Sequence, residues 1–268
     1  MPNPKRNPNA YDQVLAKYER ANEHIKELDS RLTEFGNFDP HKIRREVDPK
    51  TGDVSFYAIE VPRIPFDFST IAGDAIHNLR TTLDHIACRM IEAAGNEPTS
   101  ISCFPICDTA NKYRTEAPAK VKGMRKLAIQ RLDRLHPYKG GNNLLWQLHR
   151  LDIIDKHKLL LTLGFASLAN TMTPSQRAKA AAQGAITSGT PNPQGLGVFV
   201  NFEFPKEPLQ AGSKLLTLPA SEANEDVKFL IGVAIHEPGV VENAPLHLFL
   251  EFIRNEVYSV ILDLAPYV

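Results

Sequence analysis

With 31 basic and 31 acidic side chains in 268 residues, the chain carries no net charge at neutral pH, which argues against a strong nonspecific binder of nucleic acid. It is long enough to bury a sizeable core, and no stretch approaches the roughly 20 apolar residues of a membrane span. The three cysteines, Cys88, Cys103 and Cys107, lack the second pair that a tetrahedral zinc site needs. They read as reduced, partly buried thiols of a cytoplasmic protein.

In chain order, the segment Met1–Pro8 lacks a signal peptide's apolar run and reads as a disordered tail. A first amphipathic helix is predicted from about Tyr11 to Leu32, with Val14, Leu15, Tyr18, Ile25 and Leu28 on one side. Gly36, Asn37 and Asp39-Pro40 end it. A hairpin follows, His41–Val47 and Val54–Val61, flanking the turn sequence Asp48-Pro49-Lys50-Thr51-Gly52-Asp53. The second helix is predicted from about Asp67 to Ala94, a third from Pro118 to Leu135, and a fourth from Asn142 to Leu163, stopped at Gly164. Residues 165–197, rich in Ala, Ser, Thr, Gly and Pro, read as a mobile loop with a short helix near Pro174–Gln183. Three strands (Val198–Phe204, Lys214–Leu218, Lys228–His236) and a final helix from Ala244 to Leu264 complete the chain. The expected fold is α+β, mainly α: a single domain, 1–268, with a helical bundle (67–163, 11–32 and 244–264) and a small antiparallel sheet (41–61 and 198–236). An isolated hairpin is marginal, so all strands are expected in one sheet. No internal repeat appears.

Charge is unevenly spread. From Asn111 to Gly140 nine Lys or Arg face two acids, a local charge of +7, whereas from Asn201 onward ten acids outweigh four bases. A polyanion-binding side and two ordinary solvated faces both fit this asymmetry.

The second helix separates cleanly on a wheel of about 100° per residue. Ala72, Ala75, Ile76, Leu79, Leu83, Ile86 and Met90 share one arc, and Asp74, His77, Asn78, Arg80, Thr81, Asp84, His85 and Cys88 the other. An ordinary solvent face is richer in Lys, Glu and Gln, so two His and two Asp with one Arg suggest a site. Surface ion pairing at i, i+3 accounts for the same residues.

In the fourth helix Arg150 and His157 fall inside an apolar stripe of Trp146, Ile153, Ile154, Leu160 and Leu161, flanked by a polar strip of His149, Asp152 and Lys156. If the stripe packs inward, Arg150 needs a carboxylate, because an unpaired buried charge is very costly. Asp74 and Asp84 are the expected partners, and the two helices are expected to meet across a polar pocket. A buried ion pair that only sets helix register satisfies the same pattern.

The segment Arg80-Thr-Thr-Leu-Asp-His85 fits the Arg-x4-6-His pattern of the HEPN superfamily, and Arg150-Leu-Asp-Ile-Ile-Asp-Lys-His157 fits it again with six intervening residues. The strings from Gly73 to His85 and from Leu148 to His157 also resemble a bacterial family of unassigned function. This covers the helical region and says nothing about the strands. The resemblance implies metal-independent RNA cleavage, in bacterial defence or toxin systems, without a cofactor. It implies His85 and His157 as proton-transfer groups, Arg80 and Arg150 as phosphate ligands and Asp84 as an orienting group. The two motifs would meet in a homodimer or in one composite site. Lys126, Arg131 and Arg134, on the polar face of the third helix, are candidate phosphate-backbone ligands.

Two further readings stand beside it. Asp74-x-x-His77 and His149-x-x-Asp152 each place a carboxylate and an imidazole one turn apart, as a metal-dependent hydrolase in a bundle requires. A non-enzymatic module binding a nucleotide or a partner fits as well.

Overall fold

A computed structural model describes residues 10–36, 40–168, 209–221 and 229–268. The protein is α+β and mainly α. Its elements run α1 (Ala10–Phe35), β1 (Ile43–Val47), β2 (Val54–Ala58), α2 (Phe66–Ala93), α3 (Ala110–Lys120), α4 (Lys126–Asp133), α5 (Asn143–Asp155), β3 (Thr162–Leu168), β4 (Lys214–Leu218), β5 (Phe229–Glu237), β6 (Val241–Pro245) and α6 (Leu246–Leu264). Among the described residues no helix is long and apolar enough to cross a membrane. The expected N-terminal tail, the helix near 174–183, the strand at 198–204 and residue 228 lie outside the described residues, as does the expected mobile loop beyond β3.

Two compact units divide the chain. A helical unit comprises 1–31, 65–162 and 235–268, and a smaller one comprises 32–64 and 163–234. In the smaller unit β1 and β2 form the expected hairpin, Ile43 opposite Ala58 and Val47 opposite Val54. Asp48 closes its turn, accepting from the Lys50 amide on Oδ1 and from the Gly52 amide on its carbonyl, both at 2.8 Å. β4 adds to β2 in antiparallel register.

The single sheet expected from the sequence is instead two three-stranded sheets, ordered β1-β2-β4 and β3-β5-β6. Each has the three strands that a sheet needs beyond a marginal hairpin. β4 completes the hairpin's sheet, while β3 and β6, neither foreseen, give β5 its own neighbours.

β3 exists because the fourth helix stops early, at Asp155 rather than near Leu163. Glu237, almost fully buried, accepts the Leu161 amide at 2.7 Å and pairs with Lys158 at 3.1 Å. The His236 amide bonds to the Leu161 carbonyl at 2.9 Å. These bonds draw the chain out of helix and into the strand, a tertiary override of local pattern. The predicted third helix is likewise two. Thr109 caps α3 by accepting the Lys112 amide at 3.2 Å, Pro118 sits inside that helix near its end, and Gly123, at φ +98°, breaks the chain before α4.

α2 is the axis of the helical unit and packs against α5 and α6. Every residue of its predicted apolar arc is buried, each Leu or Ile stabilising by about 1.5–3 kcal/mol. Asn78, Arg80 and Thr82 are buried too, so part of the polar arc faces protein rather than water.

Candidate functional site: the polar seam between α2 and α5

Among the contacts between α2 and α5, three run in opposite numerical directions: Gly73 with Asp155, His77 with Asp152, Arg80 with His149. The helices are therefore antiparallel here, and residues one turn apart on each meet in sequence. The two helices meet as expected, and polar side chains bond across the seam, but the residues that do so differ from those expected. Leu145, Leu148, Leu151 and Asp152 are buried on α5, and Asp152 projects between Leu145 and Leu148. Arg150 lies about 160° round the helix from it.

Arg150 and His157 were expected to be buried, with Arg150 paired to Asp74 or Asp84. Instead His157 is exposed in the turn after α5 and Arg150 is half-buried. Among the described residues no carboxylate lies within ion-pair distance of Arg150. Its charge reaches Asp108, whose carboxyl is held below its ordinary range first by the Lys112 hydrogen bond, then by Trp146 Nε1. Asp74 is exposed and Asp84 belongs to Arg80. The helical projection failed because it counted Leu160 and Leu161, which are not on the helix.

Arg80 is 6% exposed, and each of its nitrogens has a partner. Nη1 donates to Asp84 Oδ1 at 2.6 Å, Nη2 to the Phe104 carbonyl at 3.0 Å and Nε to His149 Nδ1 at 3.2 Å. Asp84 Oδ1 also accepts the Phe104 amide at 2.9 Å. Side chains one turn apart on α2 thus grip both backbone groups of a fully buried Phe104. Because Nδ1 accepts, the His149 ring proton sits on Nε2. Burial, then the charges of Arg80 and Lys120, push His149 down to about 4, so it is neutral at pH 7.

One turn away the chemistry changes. Asp152 is 4% exposed; its Oδ1 meets His77 Nδ1 at 2.9 Å and its Oδ2 accepts from Lys156 Nζ at 2.6 Å. A carboxylate can only accept, so Nδ1 carries a proton, and in the neutral ring Nε2 is the nitrogen with the lone pair. The His77 side chain is 52% exposed. A buried acid therefore orients an imidazole whose basic nitrogen can reach solvent. Asp155 is half-buried, and its carboxyl is pushed up by burial first and then by Asp74 and Asp152.

No protein-family model, curated protein or solved structure matches the chain.

Of the residues singled out in the sequence, Arg80, Asp84 and His149 meet in one network, and His77 and Asp152 in the next. His85 is half-buried on α2. Of the candidate phosphate ligands, Arg131 is held by both oxygens of Asp263 on α6, its Nε at 2.8 and 2.7 Å, whereas Lys126 and Arg134 are exposed. Among the described residues no three His, Cys, Asp or Glu are grouped to hold a metal ion. Asp155 was missed, and Lys156 was noticed only as part of a strip. The signal for both was their spacing after His149 and Asp152, with Gly73 opposite.

Proposed function

We propose that the protein is a metal-independent endoribonuclease in which His77, oriented by Asp152, is the general base. The observation that carries this is the His77–Asp152–Lys156 chain, with a nearly inaccessible carboxylate behind an accessible ring. His77 Nε2 takes the proton of a ribose 2′-hydroxyl, O2′ bonds to the adjacent phosphorus, and the P–O5′ bond breaks, leaving a 2′,3′-cyclic phosphate. Lys156 has two N–H donors beyond the one given to Asp152, and they can hold a phosphate oxygen. RNA as substrate is supported by the resemblance of the Arg80–His85 and Arg150–His157 segments to the HEPN pattern, and by exposed Lys126 and Arg134. The buried, fully engaged Arg80 favours a structural task for that side chain, which is why the base is placed at His77.

The test is cleavage of an oligoribonucleotide in EDTA. His77→Ala should lose on the order of 10²-fold in rate, and Asp152→Asn should lose activity through the wrong tautomer, as in other His–carboxylate pairs. His85→Ala and His157→Ala, purified in parallel, should stay close to wild type. Loss in those two with His77→Ala unaffected would move the chemistry back to the Arg…His motifs. Cleavage only with added divalent metal favours the metal-dependent hydrolase. No cleavage, with nucleotides raising the melting temperature, favours the binding module.

A further inference from the structure

Base-catalysed attack by O2′ leaves an alkoxide on O5′, and that oxygen needs a proton. We propose that Asp155 is the acid that supplies it, seated beside His77 on the bare backbone of Gly73; this rests on the ribonuclease reading above.

Geometry places the two groups together. Gly73 and His77 are one turn apart on α2, and Asp152 and Asp155 one turn apart on α5. Since Asp152 meets His77, Asp155 falls opposite Gly73. A methyl group built on Gly73 would overlap all three atoms of the Asp155 carboxyl group. Only glycine lets that carboxyl lie against the helix at this point. The groups around it are Asp74 and His77 from α2 and Asp152 from its own helix. Among the described residues no hydrogen-bond donor engages Asp155, in contrast to Asp152, which has two.

That contrast assigns opposite tasks. Asp152 is fixed between an imidazole and an ammonium. Asp155 is half-buried against Gly73 and without a donor, and burial, then Asp74 and Asp152, push its carboxyl up, which suits it to deliver a proton. In the forward step His77 gains a proton from O2′, the O2′–P bond forms, the P–O5′ bond breaks and the Asp155 proton passes to O5′. The cyclic product leaves an imidazolium beside an Asp155 carboxylate, and transfer of one proton between them restores the starting pair.

The full chain is assayed on two substrates that differ only in the leaving group: a dinucleoside monophosphate, which departs as an alkoxide, and a ribonucleoside 3′-(4-nitrophenyl phosphate), which departs as a stable phenolate. Asp155→Asn should lose on the order of 10²-fold on the first and little on the second, whereas His77→Ala should lose activity on both. Equal losses of Asp155→Asn on both substrates, or no loss on either, would overturn the assignment to Asp155 and leave His77 in place. Undiminished His77→Ala, or a wild type that cleaves neither substrate, sinks the ribonuclease reading and this inference with it. A readout independent of any variant is the carboxyl carbon titration of Asp155 in the wild-type protein. It should fall above the range of exposed aspartates, and an ordinary titration would count against the proposal whatever the variants do.

Discussion

Asp84→Ala should destabilise the protein by up to about 3–5 kcal/mol, the cost of leaving the buried Arg80 charge without its carboxylate. Arg80 would keep its charge at 6% exposure with only the Phe104 carbonyl and His149 Nδ1 left to accept its donors. The Phe104 amide would lose its acceptor as well, and an unsatisfied buried group adds to the loss. Arg80→Met should cost less, because it takes the charge away and leaves behind an Asp84 that water reaches. Urea unfolding reads both, as a fall in the midpoint at constant slope. A loss below about 1 kcal/mol in Asp84→Ala would equal an exposed ion pair, and Arg80 would then not be what holds the Phe104 backbone to α2.

Local rules sufficed where one element decides its own burial. The apolar arc of α2 is one such case: seven side chains at helical spacing, all of them buried as the wheel implies. They failed where a distant residue competes for the backbone. Nothing between His157 and Leu163 announces that Glu237, some eighty positions away, will accept the Leu161 amide and end the helix. That error carried into the site, since Leu160 and Leu161 rotated the inferred inner face of α5 toward Arg150 and away from Asp152. With the helix ended at Asp155, His149, Asp152 and Asp155 become the strip that faces α2, and their partners Arg80, His77 and Gly73 follow from antiparallel order. Arg80 and Asp84 at i, i+4 were readable as a pair, but not as a clamp on Phe104, which depends on how the 94–109 connection folds back. Gly73 was least legible of all. A glycine inside a helix usually marks a cost of about 1 kcal/mol, and its reason appears only when the Asp155 carboxyl is seen lying on it.

His149 makes the fold acid-sensitive in a defined window. In the unfolded chain its imidazole takes a proton below about 6.5, while in the fold burial and the Arg80 and Lys120 charges hold that step down to about 4. Between these values the unfolded state binds more protons, so stability falls as pH falls. It is fully present above about 6.5 and lost on reaching about 4. The difference amounts to roughly 2–3 kcal/mol after allowing for the ring's residual exposure. Burial also lowers His247 on α6, which acts in the same direction, so the contribution of His149 must be taken by difference. His149→Asn is the right comparison, because its side-chain oxygen can accept the Arg80 Nε donor in place of Nδ1 without titrating. Stability measured from pH 7.5 to 4 should therefore fall less steeply in His149→Asn than in the wild type. Parallel curves would mean that His149 protonates alike in both states, and its position beside Arg80 would then not be closed to a second positive charge.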